Sequence, residues 1–212
     1  MSDDLQSRYP GYDVVGKGKL FTPDWDAQTW LAVQERLNLD PLPRFFTTDE
    51  AITLGAVTGR ILPQLDRANG EKVLIVPWID AKLFHDRRDG YRYEDIPAQQ
   101  TAWRLAIEGF DQTSRKLYGR RFAELTPELQ DDVLTTIERG NPPGEVWKSV
   151  SAERFFRNVL CVTVANAYYS HPTAWNEIGY SGPASLRGHV RIWIGGVDPW
   201  EAHSTETPWD TE

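Results

Sequence analysis

Four times in this chain a hydroxyl residue stands at the head of a stretch whose apolar residues recur at helical spacing. In Thr22-Pro23-Asp24 and Thr126-Pro127-Glu128 a cap precedes a proline, and proline suits the first helical position because its missing N–H would have no partner there. Thr47 and Glu50 have the spacing of a capping box, in which each side chain accepts from the other residue's backbone N–H. Ser151 heads a stretch carrying Phe155, Phe156, Val159, Leu160, Thr163 and Ala167. Behind the other caps run Trp30, Val33 and Leu37, then Ile52, Val57, Ile61 and Leu65, then Leu129, Val133, Leu134 and Ile137. A chain that starts helices this often, and shows no clear ladder of alternating strands, closes its core by packing helix on helix.

Two more helices complete the pattern. Pro77 suits a helix start ahead of Trp78, Ile79, Leu83 and Phe84, although Val73-Leu74-Ile75-Val76 would also serve as a short strand. Pro97 opens a longer helix with Ala102, Leu105, Ala106, Phe110, Thr113 and Leu117 on one face, and Gly119 is a natural stop. Pro63 can kink or end the second helix. Asp40-Pro41-Leu42-Pro43, Ala68-Asn69-Gly70-Glu71 and Gly140-Asn141-Pro142-Pro143-Gly144 break the chain between helices. Leu42, Phe45 and Phe46 precede the capped helix, where a hydrophobic staple accounts for at least one of them. Residues 1–21 are aperiodic and read as an extended arm. The expected fold is all-α: an irregular bundle of about six helices with an extended N-terminal arm and an irregular aromatic C-terminal segment.

Composition narrows the function classes. With 212 residues the chain can bury a real core. A net charge of -8 argues against binding nucleic acid or an anionic membrane surface, since both need basic patches. No apolar run approaches the ~20 residues of a membrane span. The acidic start Met1-Ser-Asp-Asp has no apolar core of a signal peptide. The lone Cys161 lies among Val159, Leu160 and Val162, so a buried inert thiol is expected. The 9 Trp fit either a Trp-rich core or an interface, because the indole combines large contact area with a polar tip.

Catalytic motifs are not evident. Gly16-Lys17-Gly18-Lys19 lacks the spacing and the preceding strand of a phosphate loop. His171 and Glu177, with His189 nearby, allow a metal site to be imagined, but their spacing matches no established ligand pattern. Ser170, His171 and Glu177 are adjacent in sequence, which is no evidence of a triad. Asp86-Arg87-Arg88-Asp89 reads as a solvated loop with local ion pairs. This profile favours a binding or accessory role over an enzyme.

The segment from Tyr168 to Arg191 alternates aromatics, glycines and prolines with no helical or strand period. Such a run should be ordered, irregular and packed against something, either its own core or another protein. Its pieces Tyr168-Tyr169-Ser170-His171-Pro172-Thr173-Ala174-Trp175, Glu177-Ile178-Gly179-Tyr180 and Gly182-Pro183-Ala184-Ser185 resemble the C-terminal signature of the gluconate 2-dehydrogenase subunit 3 family. Ile61-Leu62-Pro63-Gln64, Ile79-Asp80, Asp89-Gly90-Tyr91-Arg92-Tyr93, Phe122 with Leu125, and Phe155-Phe156 are similar in the same order. The likeness runs from about Phe46 to Ile192, between an arm and first helix (1–45) and an acidic tail (193–212). In the tail, Leu186 and His189 stand where the family pattern has proline and an aromatic.

The resemblance implies a small subunit without a cofactor of its own. Its partner would be a large FAD-dependent sugar dehydrogenase of the glucose–methanol–choline (GMC) type, often joined by a cytochrome c subunit. The small subunit is then expected to help the flavoprotein fold, keep its flavin or be exported. Without a signal of its own, the complex is expected in the cytoplasm, or in the periplasm if the partner carries the signal or a leader has been removed. Tyr168, Tyr169, His171, Trp175, Tyr180, Pro183 and Arg187 are the candidate interface residues, since Trp, Tyr and Arg dominate binding hot spots. Alternatively Trp175 and Tyr169 are internal and hold the tail to the bundle. Two rival readings stand beside this one: a stand-alone enzyme or metal-binding protein using residues such as His171, Glu177 and Asp80, and a general helical scaffold or chaperone.

Overall fold

The computed structural model describes residues 25–68, 71–178, 180 and 182–183, and among them every regular element is a helix. The chain divides into two compact units, one made of Asp40–Leu65 with Leu74–Ala167 and the other of the remaining segments.

The larger unit begins with α2 (Thr48–Ile61), which follows α1 (Ala27–Leu37) in the chain. The expected capping box is present: Glu50 N–H donates to Thr47 Oγ1 at 3.2 Å and Thr47 N–H to Glu50 Oε2 at 2.7 Å. The helix ends at Leu62, ahead of Pro63, whose ring disfavours helical backbone in the residue before it. Its buried face is Thr53, Leu54, Val57 and Thr58, while Ile52 and Leu65 are exposed. The expected stripe thus holds at Val57 and fails at Ile52 and Leu65. Threonine can occupy the inner face because Thr58 Oγ1 donates back to Gly55 O at 3.2 Å.

Pro77 sits at the third position of α3 (Ile75–Phe84), where the backbone N–H would be unpaired anyway, and no strand forms. α4 (Gln99–Tyr118) is the central helix, closed by Gly119 at φ 71. Leu117, expected on its inner face, is exposed. Pro127 takes the first position of α5 (Pro127–Glu138), as the cap-plus-proline pattern requires. Phe110, Phe122 and Phe155 are fully buried, as are Leu54, Ile79, Leu83 and Ile137.

Gly109 has a specific steric role. A Cβ there would lie 2.3 Å from Trp147 Cζ2, so only glycine lets that indole rest on α4. The contact is fixed by Trp147 Nε1, which donates to Thr113 Oγ1 at 2.9 Å.

The closing helix is not uniform. α6 (Ala152–Arg154) passes into a π-helical segment, Phe155–Leu160, and then into α7 (Cys161–Tyr169). Cys161 N–H reaches back five residues to Phe156 O. Cys161 itself is partly exposed rather than buried, because the wider turn places it off the inner face. Partial burial and then the Glu138 charge hold its thiol above its ordinary pKa, so it stays protonated at neutral pH.

In the smaller unit, α1 (Ala27–Leu37) is capped by Asp26, whose Oδ1 accepts from Thr29 N–H at 2.8 Å. The helix thus starts later than the Thr22 pattern suggested, and Thr22 lies outside the described residues. Val33, Trp25 and Trp175 form its core with Leu37 packed against them. Trp175 belongs to α8 (Pro172–Ile178), a short helix where the sequence pattern showed none. Two local features start it. Pro172 occupies the first position, and His171 Nδ1 accepts from Thr173 N–H at 3.3 Å. Tyr180 N–H donates to Trp175 O at 2.9 Å, the six-to-one bond of a Schellman-type ending.

Candidate functional site

The aromatic segment places its residues unequally. Trp175 is 4 % exposed and Tyr168 7 %, whereas Tyr169 is 50 % and Tyr180 39 % exposed. Trp175 Nε1 donates to Tyr169 O at 2.9 Å, and the Tyr180 ring meets the indole edge-on at 5.5 Å. Trp25 Nε1 donates to Pro183 O at 2.9 Å, tying the segment's end to the approach of α1. The buried indoles thus hold a frame on which Tyr169 and Tyr180 stand outward. Arg187 and His189 lie outside the described residues.

The polar residues of this segment are engaged internally. Glu177 is ion-paired with Arg67 and accepts from Tyr168 Oη–H at 2.7 Å. Arg67 Nη2 also reaches Tyr168 Oη at 3.4 Å. A carboxylate so held positions structure; it is not presented to His171. Of the Ser170–His171–Glu177 set, Glu177 pairs with Arg67 and Tyr168, and His171 Nδ1 accepts a backbone amide. Among the described residues, no three His, Cys, Asp or Glu side chains gather as a metal site would require.

His171 gives a testable signature. Burial first, then the neighbouring Arg67 charge, lower its pKa to about 4 from the ordinary 6.5. The native state keeps the ring neutral while the unfolded chain takes up a proton below pH 6.5. Its contribution is thus present above 6.5 and is lost as pH falls toward 4. After allowance for solvent around a part-exposed ring, the loss is about 1–2 kcal/mol. Denaturant titrations of wild type and His171→Gln between pH 7 and 4 should show a steeper decline for wild type. Parallel curves would refute the assignment.

Asp80 was a candidate only for a scattered active site. It is 2 % exposed and accepts three backbone amides: Arg44 N–H at 2.8 Å, Phe45 N–H at 3.0 Å and Phe46 N–H at 2.9 Å. That arrangement pins the entry to α2.

A second feature escaped the sequence reading. In the larger unit, the Asp86–Pro97 loop, the start of α4 and the π turn with α7 enclose a groove of about 700 Å³. Asp89-Gly90-Tyr91-Arg92-Tyr93 forms part of its rim, and Trp103 lies at its base. In the sequence the loop reads as a run of local ion pairs and as one of the pieces that carry the family likeness; the π turn has no signature there. π segments inside α-helices often occur at functional sites.

These features define a helical protein whose buried acidic and histidine groups serve its own architecture. The family model described as gluconate 2-dehydrogenase subunit 3 matches residues 48–182, and the chain belongs to that family. The match takes in α2 through α8 and the described aromatic segment to Gly182. Comparisons with curated proteins and with solved structures give no match. No helix among the described residues is long and apolar enough to cross a membrane.

Proposed function

We propose that this chain is a non-catalytic small subunit that binds and stabilises a large FAD-dependent, GMC-type dehydrogenase acting on a sugar or glycoside. The observation that carries the reading is the family match across residues 48–182. The internal engagement of Asp80, His171 and Glu177 supports it, since each is used to hold backbone or side chain. The flavin and the oxidation chemistry belong to the partner. Tyr169 and Tyr180 supply exposed aromatic contacts. Tyr168, His171, Trp175 and Pro183 support them from behind. Arg187, the remaining candidate contact, lies outside the described residues.

Co-expression with such a flavoprotein, followed by purification through a tag on this chain, tests the reading. A yellow eluate that oxidises sugar with a dye acceptor is expected, against a colourless and inactive lone chain. A soluble flavoprotein that never accompanies this chain would overturn it.

A further inference from the structure

The groove of the larger unit has unused hydrogen-bonding groups at its base, on its wall and at its rim. At the base stands Trp103, 2% exposed, whose indole N–H makes no hydrogen bond to a described residue. A buried indole N–H ordinarily finds an acceptor. Among the described residues, the side-chain atom both sealed from solvent and without a partner is Arg67 Nε, so the Trp103 N–H is not sealed. Trp103 borders this groove, which is therefore where that hydrogen meets accessible space. On the wall, Asn158 comes from the π-helical turn and Asn166 from α7. Both are exposed, and neither carboxamide bonds to a described residue. At the rim, Asp86 pairs with Arg88 at 2.5 Å and Asp89 with Lys82 at 2.6 Å. Arg92 forms no ion pair with a described residue, and its Nη1 has only a long hydrogen bond, 3.4 Å, to Ile96 O. Among the described residues of the rim, that leaves one uncompensated positive charge.

Size, charge and hydrogen bonding then specify the ligand. A volume of about 700 Å³ falls within the range of small-molecule sites, about 300–1,000 Å³. One free guanidinium matches one carboxylate, which it can hold through two parallel N–H···O bonds. A doubly charged phosphate would leave a negative charge uncompensated beside Asp86 and Asp89. A carboxamide both donates and accepts, and so does a hydroxyl, which makes hydroxyl groups the natural partners of Asn158 and Asn166. The indole N–H only donates, and it calls for an oxygen lone pair at the end of the ligand away from the rim. Tyr91, 67% exposed and edge-on to Tyr93 at 5.9 Å, offers its ring to the carbon skeleton.

We infer that this groove binds a small hydroxylated monocarboxylic acid, its carboxylate on Arg92 and an oxygen at the Trp103 N–H. Asn158 and Asn166 select hydroxyl groups between the two. The site lies wholly in the larger unit and shares no residue with the aromatic segment, so it stands independently of the subunit reading.

The test titrates the full chain with glycerate, quinate and 4-hydroxybenzoate, three such acids of different bulk, by calorimetry and by NMR of the indole N–H groups. The Trp103 signal is assigned among those of the 9 Trp by through-bond connection to its backbone. At least one acid should bind and move that signal, and its methyl ester, which lacks the charge, should bind at least about tenfold more weakly. Arg92 is exposed, so Arg92→Gln should melt as wild type does while the Kd rises at least about tenfold. Unaltered affinity in Arg92→Gln, an unmoved Trp103 signal, or no binding of any of the three acids each overturns the site. A carboxylate supplied by the large subunit gives a different pattern: Arg92→Gln loses that subunit in co-purification while the free acids do not bind, and the small-molecule site is overturned. Should Arg92→Gln fail to fold, the comparison of acid with ester on the wild-type chain decides.

Discussion

Asp80→Ala is expected to remove about 3–5 kcal/mol of stability, a large share of what a domain of this size has. The reason lies in what is left behind. Three backbone N–H groups, of Arg44, Phe45 and Phe46, lose the Asp80 carboxylate as acceptor at a site where Asp80 is 2 % exposed. Each orphaned buried amide costs about 1–3 kcal/mol, and amides closer to water recover part of that. Asp80→Asn keeps one acceptor oxygen and should lose distinctly less. Urea denaturation of the three proteins checks the order. If Asp80→Ala unfolded at the wild-type midpoint, the carboxylate would not be the anchor described here. A catalytic Asp80 would give the opposite result, intact stability with lost activity.

Trp175→Ala is the second large effect, expected at about 3–5 kcal/mol for a buried aromatic removed from a packed site. The indole is 4 % exposed, packs with Trp25 and Val33, and donates to Tyr169 O. Trp175→Phe retains much of the contact and loses the hydrogen bond, so its cost should be nearer 1 kcal/mol beyond the volume change. Thermal melts combined with binding to the large subunit separate two roles. A positioning residue lowers stability first and binding only as the frame loosens. Lost binding at an unchanged melting temperature would instead make Trp175 a direct contact and contradict its buried placement.

Local chemistry was legible in the sequence because it acts over a few residues. Thr47 and Glu50 form their box, Pro127 takes the first helical position, and Gly119 closes α4 in the left-handed region. Each depends on neighbours within four positions. The phase of α2 was not legible, because Thr53 and Thr58 look polar in sequence yet are 0 % and 4 % exposed. Periodicity counts a buried, backbone-bonded threonine as a surface residue. The π segment at Phe155–Leu160 was hidden for a related reason: its residues have ordinary helical composition. α8 escaped because seven residues are too few to show a period among prolines and glycines.

The aromatic segment shows the same limit at longer range. That it should be ordered and packed could be read from its composition. Which of its residues face inward could not, since Trp175 is buried by Trp25 and Val33, more than 130 positions away in the chain. Asp80 is a further case: its three donors lie 34 to 36 positions upstream, and nothing local marks it as an acceptor of backbone amides.

The smaller unit draws on three stretches of chain that are distant in order of synthesis. Trp25 donates to Pro183 O, Arg67 pairs with Glu177, and α1 packs on α8. None of these bonds can form while the ribosome still holds the residues near position 180. The larger unit, by contrast, draws its described contacts from residues 40–65 and 74–167 and can assemble earlier. The face bearing Tyr169 and Tyr180 therefore comes into being only after residues up to about 183 have left the ribosome, later than the larger unit can form. A partner that recognises this face distinguishes chains that reach past Pro183 from those that stop short of it.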